Sequence, residues 1–132
     1  MFLADKKFIL ASALLLIAGQ IYSNSSIADL EAIWWLDMVM HFLGGLLTAS
    51  LFLNFSAEYF NLLPNGNRYA NFLFIVSFVM LIGVLWEFYE YSTNYFLQTL
   101  ELSLTDTLSD LFFDLVGGIL GGVTYLFSQR SI

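Results

Sequence analysis

Long apolar segments dominate this sequence and limit what it can fold into. Four of them stand out, at residues 8–21, 33–55, 69–96 and 105–127. A helix needs about 20 apolar residues to cross the hydrocarbon layer of a bilayer, and the last three segments are long enough. Hydrophobic residues make up 59% of the chain and charged residues 11%, which is too little polar surface for a water-soluble domain. The sequence therefore predicts a polytopic membrane protein with the lipid bilayer as its surroundings.

Helices suit these segments better than strands do. Backbone polar groups inside lipid must be hydrogen-bonded within the chain, and glycine-containing apolar runs without alternation favour helices over barrel strands. Turn-forming residues separate the segments, for example Pro-Asn-Gly-Asn at 64–67. We predict an all-α fold, an integral membrane bundle of four transmembrane helices that forms a single transmembrane domain over residues 1–132. The expected helices are at about 8–22, 33–55, 69–96 and 105–127.

The first segment has a second interpretation. Lys6 and Lys7 precede a short apolar core that ends in small residues, which is also the pattern of a cleaved signal peptide. The pattern of small residues at the cleavage site is poor, and Ser12, Gly19 and Gln20 fit a packed helix. We therefore expect this segment to be the first of four spans.

The few charges outside the spans indicate the orientation and the partners. All four basic residues lie on one side of the four-span topology, so the positive-inside rule places both termini in the cytoplasm. A net charge of −7 argues against a nucleic-acid partner, and the absence of cysteine excludes thiolate metal sites. The small size suggests self-association or another membrane protein as a partner. The basic residues are Lys6, Lys7, Arg68 and Arg130.

Acidic residues inside the predicted spans are the strongest functional signal. At about 1.5 Å of rise per residue, all of them lie within roughly 15 Å of the same, outer side of the membrane. On each helix they recur at intervals of three or four residues and so share one face. Small residues continue these stripes inward, which predicts tight packing at the cytoplasmic end and a cavity at the outer end. The residues are Asp37 and His41 on the second span, Glu87 and Glu90 on the third, and Asp106, Asp110 and Asp114 on the fourth.

The chemistry of these acids leaves three interpretations open. Since no Lys or Arg lies in a span, either some acids hold protons or a bound cation supplies the missing charge. In the first interpretation a divalent cation (Zn, Mn, Fe or Mg) is held, and the ligands are Asp37, His41, Asp106, Asp110 and Asp114. The second is a proton- or ion-coupled transport relay, and the third is a structural role for protonated, hydrogen-bonded acids.

Two details refine the cation interpretation. Glu87 and Glu90 are candidates for a catalytic base acting on an envelope or lipid-headgroup substrate through a metal-activated water. A carboxylate commonly orients a ligating or catalytic imidazole, and Asp37 lies one turn before His41. Asp106 has an alternative role, since with Thr105 it is placed to cap the fourth helix.

Three motifs in this chain resemble a known family. In order and spacing, over roughly residues 34–122, they are similar to the YjdF-like bacterial inner-membrane proteins, and the wider VanZ-like group looks related. VanZ-like proteins tend to have Gln in place of Glu90 and Asn in place of Asp114. The resemblance implies a bacterial inner-membrane protein of four or more helices, and the VanZ-like association with glycopeptide-antibiotic resistance implies a link to the outer leaflet or envelope. The motifs are Asp37-x-x-x-His41-Phe42-x-Gly44-Gly45, Gly83-x-x-Trp86-Glu87-x-x-Glu90 and Asp106-Thr107-x-x-Asp110-Leu111-x-x-Asp114-x-x-Gly117.

Overall fold

The computed structural model describes residues 5–23, 34–56, 63, 67–97 and 103–128, and their regular structure is helical. These residues form four helices, α1 (Lys6–Ser23), α2 (Trp34–Phe55), α3 (Arg68–Leu97) and α4 (Leu104–Ser128). By length and composition, α2, α3 and α4 can each cross a membrane. The prediction of an all-α membrane protein is therefore confirmed. Arg130 and residues 64–66 of the predicted turn lie outside the described residues.

Polar side chains at the helix starts set where two of the helices begin. Asn67 Oδ1 accepts hydrogen bonds of 3.1 Å from the backbone N–H groups of both Tyr69 and Ala70, which caps α3. Ser103 Oγ accepts a 3.4 Å hydrogen bond from the N–H of Asp106, so Ser103 caps α4. The alternative in which Asp106 and Thr105 form this cap is therefore wrong. Asp106 lies instead in the first turn, where a carboxylate interacts favourably with the helix dipole.

Glycines bring α2 and α4 into backbone contact. α4 packs against both α2 and α3, and α1 packs against α2. A side-chain carbon added to Gly117 would collide with the carbonyl oxygen of Phe42, and one added to Gly45 would collide with the carbonyl oxygen of Asp114. Glycine is needed at this crossing because any side chain would force the two helices apart.

The apolar core lies further along the same interface, away from the acidic residues. The rings of Phe52 and Phe78 pack in a tilted arrangement with centroids 4.6 Å apart, and Ile75 is fully buried. The core includes one buried polar pair, in which Asn71 Nδ2 donates a 2.7 Å hydrogen bond to the hydroxyl of Tyr125. The tight packing expected at this end of the bundle is present in the structure.

The outer surface of the bundle is apolar. Large hydrophobic side chains on every helix are more than half exposed, among them Leu15 on α1, Leu81 on α3 and Phe112 on α4. In water such a surface would be unfavourable, but it matches the hydrocarbon of a bilayer. α2 and α4 begin, and α3 ends, at one end of the bundle, and the acids of all three helices meet there.

Candidate functional site

The centre of the site is His41, whose side chain is buried in the second turn of α2. Its Nδ1 lies 3.2 Å from Oδ2 of Asp114 on α4, and both residues are buried. Because a ring N–H donates and a carboxylate oxygen accepts, we assign the Nδ1 proton to this contact. Asp114 therefore fixes both the orientation and the tautomer of the imidazole.

Three glycines lie against Asp114 between the helices, and Gly83 makes room for its carboxylate. A side-chain carbon on Gly83 of α3 would lie 2.6 Å from Oδ2 of Asp114. One on Gly44 of α2 would lie 3.9 Å from the other oxygen, Oδ1, at an ordinary contact distance. Gly45 leaves space for the backbone of Asp114 itself. The glycines of two motifs thus surround one buried aspartate, with Gly83 against its carboxylate and Gly45 against its backbone.

The other ring nitrogen faces two more acids. His41 Nε2 lies 3.9 Å from Oδ1 of Asp37 and also 3.9 Å from Oδ1 of Asp110. These separations are too long for hydrogen bonds. Asp110 is buried and Asp37 is half exposed, so the group extends from the interior of the bundle towards its end. Each of the three residues offers one ligand atom, and these atoms lie within 4.8 Å of one another.

The two glutamates of α3 also lie close to this histidine. Ligand atoms of His41, Glu87 and Glu90 also lie within 4.8 Å of one another. Glu87 is partly buried, and its Oε1 is a buried atom without a hydrogen-bond partner. A buried carboxylate oxygen normally has a partner, so this atom is a place where an ion or a water would be stabilised.

Asp106 stands apart from the rest of the predicted site. It is exposed in the first turn of α4 and belongs to neither group of candidate ligands within the described residues. The structure thus brings together six of the seven predicted site residues, five of them around the imidazole of the sixth, His41. Those six are Asp37, His41, Glu87, Glu90, Asp110 and Asp114.

Basic side chains do not neutralise the site. In the described part of the chain, Lys6, Lys7 and Arg68 stand at the starts of α1 and α3, at the opposite end of the bundle. His41 is the partner of every ion pair that the described residues make in the site. Several carboxylates therefore depend on one imidazole for compensation, and only a proton or a cation can supply more.

A cavity of about 420 Å³ opens beside the cluster, at the end of the bundle where the polar stripes predict one, but its wall is mostly apolar. We expected a cavity lined by carboxylates, but most of its wall comes from apolar residues of α1, α2 and α3. α1 contributes Leu16, Ile17 and the polar Gln20. The sequence indicated only that Gln20 fits a packed helix, and the structure places it near the C-terminal end of α1, in this wall.

Comparison with known proteins gives a family match. A family model with the description "Predicted membrane protein (DUF2238)" matches residues 6–131, a range that includes all of the candidate site residues. No curated protein and no solved structure matches the chain. The match agrees with the membrane-protein interpretation and its description names no ligand. The similarity to VanZ-like proteins stays a prediction.

Proposed function

We propose that this chain, which belongs to the DUF2238 family of predicted membrane proteins, binds a divalent metal ion at the end of the bundle where α2 and α4 begin. The proposed ligands are Nε2 of His41 and the carboxylates of Asp37 and Asp110. One observation carries the proposal. Nδ1 of His41 is hydrogen-bonded to Asp114, and Nε2 faces one carboxylate oxygen of Asp37 and one of Asp110 at 3.9 Å each.

The protonation of the imidazole supports a cation between these groups. With the proton on Nδ1, Nε2 carries a lone pair that faces the lone pairs of Asp37 and Asp110, an arrangement that is unfavourable when nothing lies between them. A second proton on Nε2 would still be too far from either oxygen for a good hydrogen bond. A positive ion between the three atoms removes this repulsion.

The distances are also compatible with a metal ion. Ligand atoms at about 2.1 Å from one ion lie about 3.0–3.4 Å from each other at octahedral or tetrahedral angles. The two separations of 3.9 Å from His41 Nε2 therefore need to close by about 0.5–0.9 Å, which small side-chain rotations provide. One imidazole with several carboxylates suits Mn²⁺, Fe²⁺ or Zn²⁺, and the carboxylates alone suit Mg²⁺.

The remaining residues take supporting roles in this proposal. Asp114 orients His41, as carboxylates commonly do for ligating histidines. Glu87 and Glu90 approach His41 from α3 and are placed to complete the coordination or to act as a base on a water held at the ion. When bound, the ion would supply the charge that makes such a water reactive. Asp106, which is outside both groups, is proposed to stabilise only the start of α4.

The orientation in the membrane is part of the proposal. The positive-inside rule favours the cytoplasm for the end that carries Lys6, Lys7 and Arg68, and the site then faces the outer side of a bacterial inner membrane. A substrate of an enzymatic version would be an envelope component or a lipid headgroup, consistent with the resemblance to YjdF-like proteins.

The test compares two aspartates of the same helix. The purified protein is freed of metal and titrated with Mn²⁺ and Zn²⁺ by calorimetry, with elemental analysis of the retained ion. We expect Asp110→Asn to weaken binding at least about tenfold, because it removes a ligand charge. Asp106→Asn, one turn earlier on α4, is the matched control and should change affinity less than about twofold.

Three other results would change the interpretation. Wild-type protein that retains none of Mn²⁺, Zn²⁺, Fe²⁺ and Mg²⁺ would contradict the cation site. Proton-coupled ion uptake into liposomes that Glu87→Gln abolishes would then identify a transport relay. If neutral replacements lowered only the melting temperature, the acids would have a structural role.

A further inference from the structure

The cavity beside the cluster changes in character from one end to the other. Its polar lining gathers at the end of the bundle where the acids meet, with Asp37, His41 and Glu90 among the lining residues. Towards the core, Leu47, Val79 and Ile82 line it instead. On α1, Gly19 faces Met40, which precedes His41 on α2, so that Gln20 lies at the level of the cluster.

The dimensions of the cavity suit a small ligand with a long axis. Small-molecule pockets commonly enclose about 300–1,000 Å³ and combine a mostly apolar wall with a few convergent polar groups. The volume of about 420 Å³ falls within this range. On α2 the lining runs from Asp37 to Thr48, which corresponds to about 16 Å along the helix axis. The cavity thus has room for one extended apolar chain with its polar end at the cluster.

The position of the cavity favours a ligand from the membrane. Its walls come from α1 and α3, whose outer faces carry exposed hydrophobic side chains such as Leu15 and Leu81. In a bilayer these faces contact acyl chains. An apolar chain that reaches the cavity past these faces stays in apolar surroundings.

We infer that the cavity binds a single-chain amphiphile with a phosphate head, whose alkyl chain lies along α1 and α3 and whose phosphate oxygens coordinate the ion held by His41. The inference rests on the proposed cation site, because carboxylates alone would repel a phosphate. It names the chemical class of ligand for that site. The polar end of the cavity includes Asp37, His41 and Glu90, which puts the phosphate next to the proposed ion and the candidate base.

The test uses hexadecyl phosphate as the probe. The protein is loaded with Mn²⁺ in nanodiscs, and native mass spectrometry counts the retained amphiphile. Hexadecyltrimethylammonium, which has the same chain and a cationic head, is the comparison ligand. We expect hexadecyl phosphate to be retained by the ion-loaded protein, and removal of the ion to lower its retention at least about tenfold.

Bulky substitutions inside and outside the cavity test whether the alkyl chain of the ligand lies in the cavity. Leu16→Trp on α1 and Ile82→Trp on α3 fill the cavity and should each abolish saturable retention of hexadecyl phosphate. Leu15→Trp and Leu81→Trp are the matched controls on the exposed faces of the same helices and should leave it unchanged. Two independent pairs keep the test decisive if one variant fails to fold.

The outcomes separate this inference from the proposed function. If the protein binds Mn²⁺ but retains no hexadecyl phosphate, only the amphiphile site is overturned. The same holds if the control variants and the cavity variants retain hexadecyl phosphate equally. Preference of the ion-loaded protein for hexadecyltrimethylammonium overturns the phosphate assignment. Protein that binds no ion in the parallel calorimetry overturns the proposed function and this inference together.

Discussion

The packing of Gly83 against Asp114 gives the sharpest prediction about the site. An alanine at position 83 would place its side-chain carbon 2.6 Å from Oδ2 of Asp114 and 3.2 Å from Cγ. An ordinary contact needs about 3.4 Å, so the oxygen must move by roughly 0.8 Å. The same oxygen holds His41 Nδ1 at 3.2 Å, and it cannot make that shift and keep the geometry of the hydrogen bond.

We therefore expect Gly83→Ala to weaken ion binding, although it changes no ligand. Loss of the group that orients a ligating histidine typically costs about 10–100-fold in metal affinity. The measurement is calorimetric titration of metal-free protein with Mn²⁺, together with the melting temperature of each variant. Alanine is the better helix former by about 1 kcal/mol, which offsets part of the cost of the collision, and the melting temperature separates a loss of affinity from a loss of fold.

Gly44→Ala is the control, because it approaches the same carboxylate from α2. Its side-chain carbon would lie 3.9 Å from Oδ1 of Asp114, where no movement is required. Its affinity should stay within about twofold of wild type, since the hydrogen bond to His41 is untouched. Equal affinities in Gly83→Ala and wild type, or an equal loss in both alanine variants, would refute the role assigned to Asp114.

Three further predictions concern protonation and packing. Mn²⁺ affinity should fall as the pH is lowered and proton release should accompany binding, because His41 and the carboxylates must be deprotonated to act as ligands. Titrations in buffers of different ionisation enthalpy measure the number of protons released. An affinity that does not depend on pH would argue against these ligands. Gly117→Ala should lower the free energy of unfolding by about 1–3 kcal/mol, because its side chain meets the Phe42 backbone, whereas Ile119→Ala on the exposed face should change it much less. Tyr125→Phe should lower the free energy of unfolding by about 1–3 kcal/mol in a denaturation assay, since it leaves the buried Asn71 amide without the hydroxyl that accepts its 2.7 Å hydrogen bond. An unchanged free energy of unfolding would show that this hydrogen bond contributes nothing.

The sequence predicted the gathering of the acids because helical spacing and chain direction together determine it. Asp37 and His41 share a face near the start of α2, and Asp110 and Asp114 share one near the start of α4. With α3 running in the opposite direction, Glu87 near its end meets them. Periodicity and alternating direction are properties of the sequence, so this part needed no knowledge of the packing.

The roles within the site depend on details that spacing does not contain. Helical periodicity places Asp37 and Asp114 near His41 but does not tell which ring nitrogen each one faces. That is determined by the rotation of α4 against α2, which the contact at Gly45 and Gly117 sets. The cap of α4 by Ser103 and the contribution of α1 to the cavity wall likewise follow from local geometry and from packing between helices.

The most direct test of the account is the coordination of a bound ion. X-ray absorption spectroscopy of the Zn²⁺-loaded protein reports the number and kind of ligand atoms. We predict about one ion per chain with an imidazole nitrogen and carboxylate oxygens at about 2.0–2.2 Å, and loss of the imidazole signal in His41→Ala. An ion surrounded only by oxygen, with a spectrum that His41→Ala leaves unchanged, would contradict the proposed site.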